Sequence, residues 1–126
     1  MSLGLYLHIP YCFSKCRYCD FYSHPGERGV PEAYVDALLR ELSRFAPEAP
    51  LQPDTLYFGG GTPSLLRPEQ AKRLIDAARP MPGAEITLEA NPETVTEESL
   101  AGFREAGVNR ISFGVQSARD TQLRTL

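Results

Sequence analysis

The sequence predicts an α/β fold built of parallel βα units. Four short apolar segments alternate with three amphipathic ones along the chain, and such alternation is typical of strands joined by crossover helices. The 126 residues are 42% hydrophobic, which supports one modest core and gives no indication of disorder or of a coiled coil. We therefore expect one domain that begins and ends with a strand.

The predicted elements follow from local signals. The strands cover about residues 3–9, 54–59, 85–89 and 110–115. The first helix follows Pro31 and stops before Pro47, and its apolar residues at helical spacing are Tyr34, Leu38, Leu42 and Phe45. The second begins near Pro68 and carries Ala71, Leu74, Ile75 and Ala78. The third has Thr96 as a candidate N-cap, two glutamates in its first turn and Gly107 as its stop.

Three of the strands alternate between apolar and polar residues, which places the two kinds on opposite faces. The apolar sets are Leu3, Leu5, Leu7 and Ile9, then Ile86 and Leu88, then Ile111, Phe113 and Val115. The opposite face carries Tyr6 and His8, then Glu85, Thr87 and Glu89, then Ser112 and Gln116. We interpret the polar face as the lining of a cavity in a partial (βα) barrel, shared by Tyr6, Glu89 and Gln116. The alternative is the solvated face of a half-covered sheet.

Charge and hydropathy exclude several classes of function. The formal net charge of −3 leaves no basic stripe, so we expect no nucleic-acid partner. Apolar runs are short, and the opening residues show no basic region or cleavage pattern, so we expect no membrane-spanning or secretory segment. All three cysteines fall within eight residues, which suits a metal centre in the reducing cytoplasm better than a disulfide framework.

The cysteines Cys12, Cys16 and Cys19 have the spacing CxxxCxxC directly after the first predicted strand. Three thiolates on one loop favour a soft-metal centre, either iron–sulfur or zinc. A structural zinc site would need a fourth ligand, for which His8 and His24 are available. Otherwise we expect His8 to be a hydrogen-bonded cavity residue and His24 a loop residue. Packing of all three ligands into one loop favours a cluster with one exchangeable iron.

With Tyr18 before the last cysteine, this motif resembles that of the radical S-adenosylmethionine (SAM) superfamily. The resemblance implies that the cysteines hold three irons of a 4Fe–4S cluster whose fourth iron binds SAM. It further implies that the reduced cluster passes an electron to the sulfonium, which releases methionine and a 5′-deoxyadenosyl radical.

Other strand ends carry supporting motifs. The run Gly59-Gly60-Gly61-Thr62-Pro63 has neither P-loop nor GxGxxG spacing and by itself could be a tight strand-to-helix connection. Glu89 and Gln116 suit hydrogen bonds to ribose hydroxyls or amino-acid groups, or could cap loops. By resemblance, Gly60, Gly61 and Thr62 bind the methionyl amino group of SAM. Tyr6, Glu89 and Gln116 match further SAM-contacting positions.

Within the superfamily the chain resembles the oxygen-independent coproporphyrinogen III oxidase group. Phe21 stands where the decarboxylating dehydrogenases usually have a further cysteine, and the segment ahead of the first strand is short. Both features favour the HemW-type heme chaperones, with the dehydrogenase as the alternative. The resemblance implies heme or porphyrin as ligand, an electron donor such as flavodoxin or ferredoxin, and a heme-accepting client protein.

The resemblance also implies that residues 1–126 are the N-terminal part of a radical SAM domain. The second half of the barrel and a C-terminal domain would then be absent from this chain. We expect the fourth strand to be an open edge through which the chain associates with another copy.

Overall fold

A computed structural model describes residues 3–11, 29–45 and 51–113. Strands and helices alternate in the order β1 (Gly4–Ile9), α1 (Glu32–Phe45), β2 (Thr55–Gly60), α2 (Pro68–Ala78), β3 (Glu85–Ala90), α3 (Glu97–Ala106) and β4 (Arg110–Phe113). Short 3₁₀ turns at Pro63–Leu65 and Pro92–Thr94 follow β2 and β3. The predicted strand positions agree to within one residue at each end that the structure describes. Residues 114 and 115 of the predicted fourth strand lie outside the described residues.

The four strands form one parallel sheet in the order β1-β2-β3-β4. Each strand therefore lies beside its predecessor in the sequence, with one helix connecting each pair. This sequential order is that of a barrel wall, and it confirms the predicted α/β fold of parallel βα units.

The apolar face of the sheet packs against the helices and forms the core. Its fully buried side chains include Ile9, Leu56, Phe58 and Leu88 from the strands and Leu74 and Phe103 from the helices. Each contributes about 1.5–3 kcal/mol relative to an exposed position. The predicted apolar face is confirmed for β3, since Ile86 and Leu88 are buried. In β1 it is confirmed at Leu7 and Ile9, whereas Leu5 is only partly buried and Leu3, ahead of the strand, is exposed.

The helix ends follow the predicted signals. Thr96 caps α3, because its hydroxyl accepts the Ser99 N–H at 3.0 Å while the Ser99 hydroxyl accepts the Thr96 N–H at 2.9 Å. Gly107 ends the helix with φ of +123°, a conformation that a side chain disfavours. In α2 the predicted apolar residues Ala71, Leu74, Ile75 and Ala78 are all buried.

Helix α1 packs on the sheet with most of its predicted apolar face, and the differences are at Val35 and Phe45. Val35 is fully buried, whereas the side chain of Phe45 is 71% exposed. Val35 and Leu42 are seven residues apart, which places them on one line along the helix, and both are buried. Phe45 is displaced about 60° around the axis from Leu42, at roughly 100° per residue. Leu42 is buried and Tyr34 and Leu38 pack against the core, as predicted. The prediction is wrong for Phe45 and omits Val35.

Candidate functional site

The polar face of the sheet brings side chains from all four strands into two rows. Tyr6 pairs with Tyr57, Tyr57 with Thr87 and Thr87 with Arg110. One step nearer the carboxyl ends, His8 pairs with Gly59 and Glu89 with Ser112. In a parallel sheet the carboxyl ends of the strands meet at one edge, so the second row lies where barrel proteins carry their sites.

Two tyrosines cover β1 and β2 on this face. The rings of Tyr6 and Tyr57 stack with centroids 6.0 Å apart and an interplanar angle of 16°. The Tyr6 side chain is 54% exposed and its hydroxyl lies 3.2 Å from Nδ1 of His8. A Cβ at Gly59 would stand 2.8 Å from Cε1 of Tyr6, so the glycine makes room for the tyrosine. The expectation that His8 is a hydrogen-bonded residue of this face agrees with the geometry.

Glu89 connects the third strand to the second. Its Oε2 accepts the Tyr57 hydroxyl at 2.7 Å, and its Oε1 accepts the Gly60 N–H at 3.2 Å. The hydrogen bond to the carboxylate and, after it, partial burial raise the pKa of Tyr57. Tyr57 is therefore a protonated donor at neutral pH, and Glu89 lies half-buried between two donors.

The glycine turn packs against the end of β1. Gly60 has φ of +120°, and a Cβ there would lie 2.7 Å from the Ile9 carbonyl oxygen. The Gly61 N–H donates to the Ile9 carbonyl at 2.8 Å and the Thr62 N–H to the Tyr11 carbonyl at 2.6 Å. These bonds fix the turn against the residues that lead directly into Cys12.

The chain is anchored again at Val30. Gln70, whose side chain is fully buried in α2, donates from Nε2 to the Val30 carbonyl at 3.0 Å. Its Oε1 accepts the Arg67 N–H at 2.8 Å. The segment that contains the three cysteines is therefore flanked by two residues that are bonded to the β2–α2 unit, Tyr11 before it and Val30 after it.

Tyr34 supports β1 from the helix side. Its hydroxyl donates to the His8 carbonyl at 2.5 Å, and its ring meets Tyr11 edge-on with centroids 5.4 Å apart. Burial, followed by the neighbouring Tyr11 and Tyr6, raises the pKa of Tyr34. The sequence places Tyr34 on an apolar helix face, and nothing in that pattern identifies its hydroxyl as an anchor for the strand.

Tyr57 is the residue of the site that sequence reasoning missed. Strand β2 reads Thr-Leu-Tyr-Phe-Gly-Gly, in which Tyr57 shares a face with Gly59 and opposes Leu56 and Phe58. Alternation in this strand was a signal that could have identified Tyr57 as a member of the polar face.

The polar face is not open over its whole length. Thr87 was expected to line the cavity but is only 2% exposed. Nη1 of Arg110 lies 3.3 Å from the Thr87 hydroxyl oxygen, and the same guanidinium reaches Glu85 at 3.5 Å. The Arg110 side chain therefore covers the middle of β3, and Glu89, one row nearer the carboxyl end, is only half-buried.

Several predicted site residues lie outside the described residues, namely Cys12, Cys16, Tyr18, Cys19, Phe21, His24 and Gln116. Within residues 3–11, 29–45 and 51–113, no three His, Cys, Asp or Glu side chains are grouped to hold a metal ion. No helix in this part of the chain is long and apolar enough to cross a membrane. Of the predicted cofactor contacts, the structure brings Tyr6, Gly60 and Glu89 into one connected site, with Gly61 and Thr62 in the adjoining turn.

The chain is similar to proteins named heme chaperones. It is 45% identical to heme chaperone HemW of Escherichia coli, with 98% of this chain and 34% of that protein covered. It is 42% identical to heme chaperone HemW of Mycobacterium tuberculosis, again over 98% of this chain and 34% of the relative. The chain thus spans about a third of the length of these relatives.

A solved structure agrees in fold. The coproporphyrinogen III oxidase HemN of Escherichia coli, a radical SAM enzyme, superposes with a TM-score of 0.70 at 31% identity. The match covers 90% of this chain and 27% of that protein. It confirms the fold class, since the four parallel strands correspond to part of a radical SAM barrel.

The Radical SAM superfamily model matches residues 6–126, from the tyrosine of β1 to the last residue. The resemblance inferred from the cysteine and glycine motifs is thereby confirmed, and the chain belongs to the radical SAM superfamily.

Proposed function

We propose that this chain is the N-terminal part of a radical SAM domain, residues 1–126, in a protein that binds and transfers heme. The observation that carries the proposal is the connected site of Tyr6, Tyr57, Glu89 and Gly60, which lies beside the residues leading into Cys12. An acceptor near the carboxyl end of β3, with two aromatic rings one row further back on β1 and β2, suits a polar, ring-containing ligand.

The described residues fit SAM in their chemistry. A carboxylate has about four lone-pair sites, and two of those on Glu89 are taken by Tyr57 and Gly60. One further acceptor position remains on each oxygen, which matches the two hydroxyl donors of a ribose. The N–H groups of Gly60, Gly61 and Thr62 already bond to the protein. This turn therefore suits the amino group of SAM, which is a donor.

We further propose that Cys12, Cys16 and Cys19 are the ligands of a 4Fe–4S cluster. Tyr18 and Gln116 are proposed contacts of SAM. The cluster, when bound, supplies one-electron reduction of the sulfonium. The polypeptide orients SAM through Glu89 and the glycine turn, and Tyr6 and His8 border the same face. A structural zinc module at the three cysteines is the alternative from another class.

Heme chaperone activity is favoured over decarboxylation. The relatives at 45% and 42% identity are named heme chaperones, and Phe21 replaces the additional cysteine typical of the dehydrogenases. The second candidate is oxygen-independent coproporphyrinogen III dehydrogenase, which the 31% identical structural relative favours. Heme or porphyrin is the proposed ligand, and an electron donor such as flavodoxin or ferredoxin and a heme-accepting client are the proposed partners. We place the protein in the cytoplasm, because clustered thiolates need a reducing compartment.

The two functions are separated by an anaerobic assay of the protein expressed from its complete reading frame. We expect stoichiometric heme binding, heme transfer to an apo-hemoprotein and no protoporphyrinogen from coproporphyrinogen III. Appearance of the decarboxylated product together with SAM cleavage would instead establish the dehydrogenase.

A further inference from the structure

The Glu89 carboxylate is held in a fixed orientation by donors on a neighbouring strand. Tyr57 donates to Oε2 at 2.7 Å and the Gly60 N–H reaches Oε1 at 3.2 Å. The first contact is the shorter, and a hydrogen bond to an ionised carboxylate is stronger than one between neutral groups. Without the phenol, Oε2 would lose this contact and the carboxylate could turn about its terminal torsion, which is soft.

The Tyr57 phenol is itself held in place. Its ring stacks on Tyr6 at an angle of 16°. Its hydroxyl donates to Glu89, which raises the pKa of the phenol, while Ser112 of β4 opposes that rise. Because Glu89 raises the pKa of Tyr57 more than Ser112 and Arg110 lower it, the phenol remains a donor throughout the neutral range.

We propose that Tyr57 is a positioning residue for ligand binding, whose hydroxyl orients the Glu89 carboxylate so that its free lone pairs accept the vicinal hydroxyls of a ribose. The inference rests on the proposed SAM site and adds to it a residue that acts through the Glu89 carboxylate. Two acceptors at a fixed separation match a vicinal diol better than a carboxylate that rotates freely, because less torsional freedom is lost on binding.

The test compares Tyr57→Phe with the wild type for two ligands, SAM and 2′-deoxy-SAM. Tyr57→Phe removes only the hydroxyl and keeps the ring that stacks on Tyr6. Affinities are measured by equilibrium dialysis on anaerobically reconstituted protein from the complete reading frame, with the cluster oxidised so that SAM is not cleaved. Ser99→Ala, which removes a capping contact of α3, is the control for a general loss of stability.

We expect Tyr57→Phe to weaken SAM binding about tenfold and 2′-deoxy-SAM binding by about threefold or less. Loss of the phenol and loss of the ligand's 2′-hydroxyl both weaken the contact between Glu89 and the ribose, so the two effects are not additive. Ser99→Ala should leave both affinities within about twofold. Equal losses for the two ligands, or no loss, would overturn the positioning role. If wild-type protein with an intact cluster bound neither ligand, the proposed function itself would fail. Should Tyr57→Phe not fold, Tyr57→Met removes the same hydroxyl with an adaptable side chain and the same expected result.

Discussion

Gly60 ends the second strand and lies against Ile9 at the end of the first. Its φ is +120°, and a Cβ at this position would approach the Ile9 carbonyl oxygen to 2.7 Å, so both features exclude a side chain. The glycine is thus required by backbone geometry as well as by space. The same residue donates its N–H to Glu89, so a shift of this turn would disturb the carboxylate.

We expect Gly60→Ala to destabilise the fold by about 2–4 kcal/mol, from backbone strain together with the clash. Urea denaturation, followed by circular dichroism, measures the loss. Gly83→Ala is the matched control, because Gly83 also has a positive φ, of +82°, but a Cβ there meets nothing within 4 Å. If Gly60→Ala lowered the free energy of unfolding no more than Gly83→Ala does, the close approach of the Cβ to the Ile9 carbonyl oxygen would not be destabilising.

At the residue scale, sequence reasoning placed Tyr6, His8 and Glu89 on one face because alternation along a strand is a local property. The bond from Tyr57 to Glu89 joins residues 32 apart. It depends on the register between β2 and β3. Alternation fixes the face on which a residue lies but not its partner on the next strand. The family resemblance alone predicts that the glycine turn binds a ligand, and that remains a prediction. The bonds from this turn to the Ile9 and Tyr11 carbonyls could be found only from the three-dimensional arrangement.

The first two helices are joined by an ionic contact at the start of α1. The Glu32 carboxylate pairs with the guanidinium groups of Arg67 and Arg73. It also accepts Nε2 of the buried Gln70 at 3.0 Å. Because Gln70 also bonds the Val30 carbonyl, the contact reinforces the anchor at the end of the cysteine segment.

These partners, chiefly the hydrogen bond from Arg73, lower the pKa of Glu32 below its ordinary 4.5. A lowered pKa in the folded state stabilises the protein above the unfolded-state pKa, and the gain disappears as the pH falls through the folded-state value. We therefore expect Glu32→Gln to lower the urea midpoint at pH 7 but to have progressively less effect below about pH 4.5. Glu41→Gln is the control, since Glu41 pairs only with the exposed Arg44 among the described residues. A pH-independent effect of Glu32→Gln would contradict the electrostatic origin.

At the scale of elements, helix ends were predictable because capping and glycine stops are local chemistry, as at Thr96 and Gly107. The buried face of α1 was predicted at Leu42 but not in full. Its apolar residues cover a wide arc, and only packing on the sheet selects Val35 over Phe45.

The described sheet ends at β4, which pairs with β3 on one side. Within the described residues β4 has no second neighbour, and Phe113 on its apolar face is 53% exposed. Such an edge is a template for pairing with another chain. The sheet order could be inferred from the alternation of elements, but the exposure of Phe113 depends on what packs over the last strand.

We expect a polypeptide of these 126 residues to self-associate through β4, with a mass above that of the 14.0 kDa monomer in light scattering at micromolar concentration. Phe113→Ser should shift the population towards the monomer, because it removes apolar area at the edge. Phe45→Ser is the control, since Phe45 is also exposed but lies at the end of α1. A monomeric mass over the whole concentration range would contradict this expectation.

The whole molecule joins a polar strand face to a segment with three cysteines, and we propose that this segment holds an iron–sulfur cluster beside a SAM site. Metal and sulfide analysis of anaerobically reconstituted protein, with its absorption and electron paramagnetic resonance spectra before and after SAM addition, distinguishes a cluster from a zinc site. We expect about four iron and four sulfide per chain and a spectral change on adding SAM. Bound zinc without iron or sulfide would contradict the proposal and establish a structural zinc module instead.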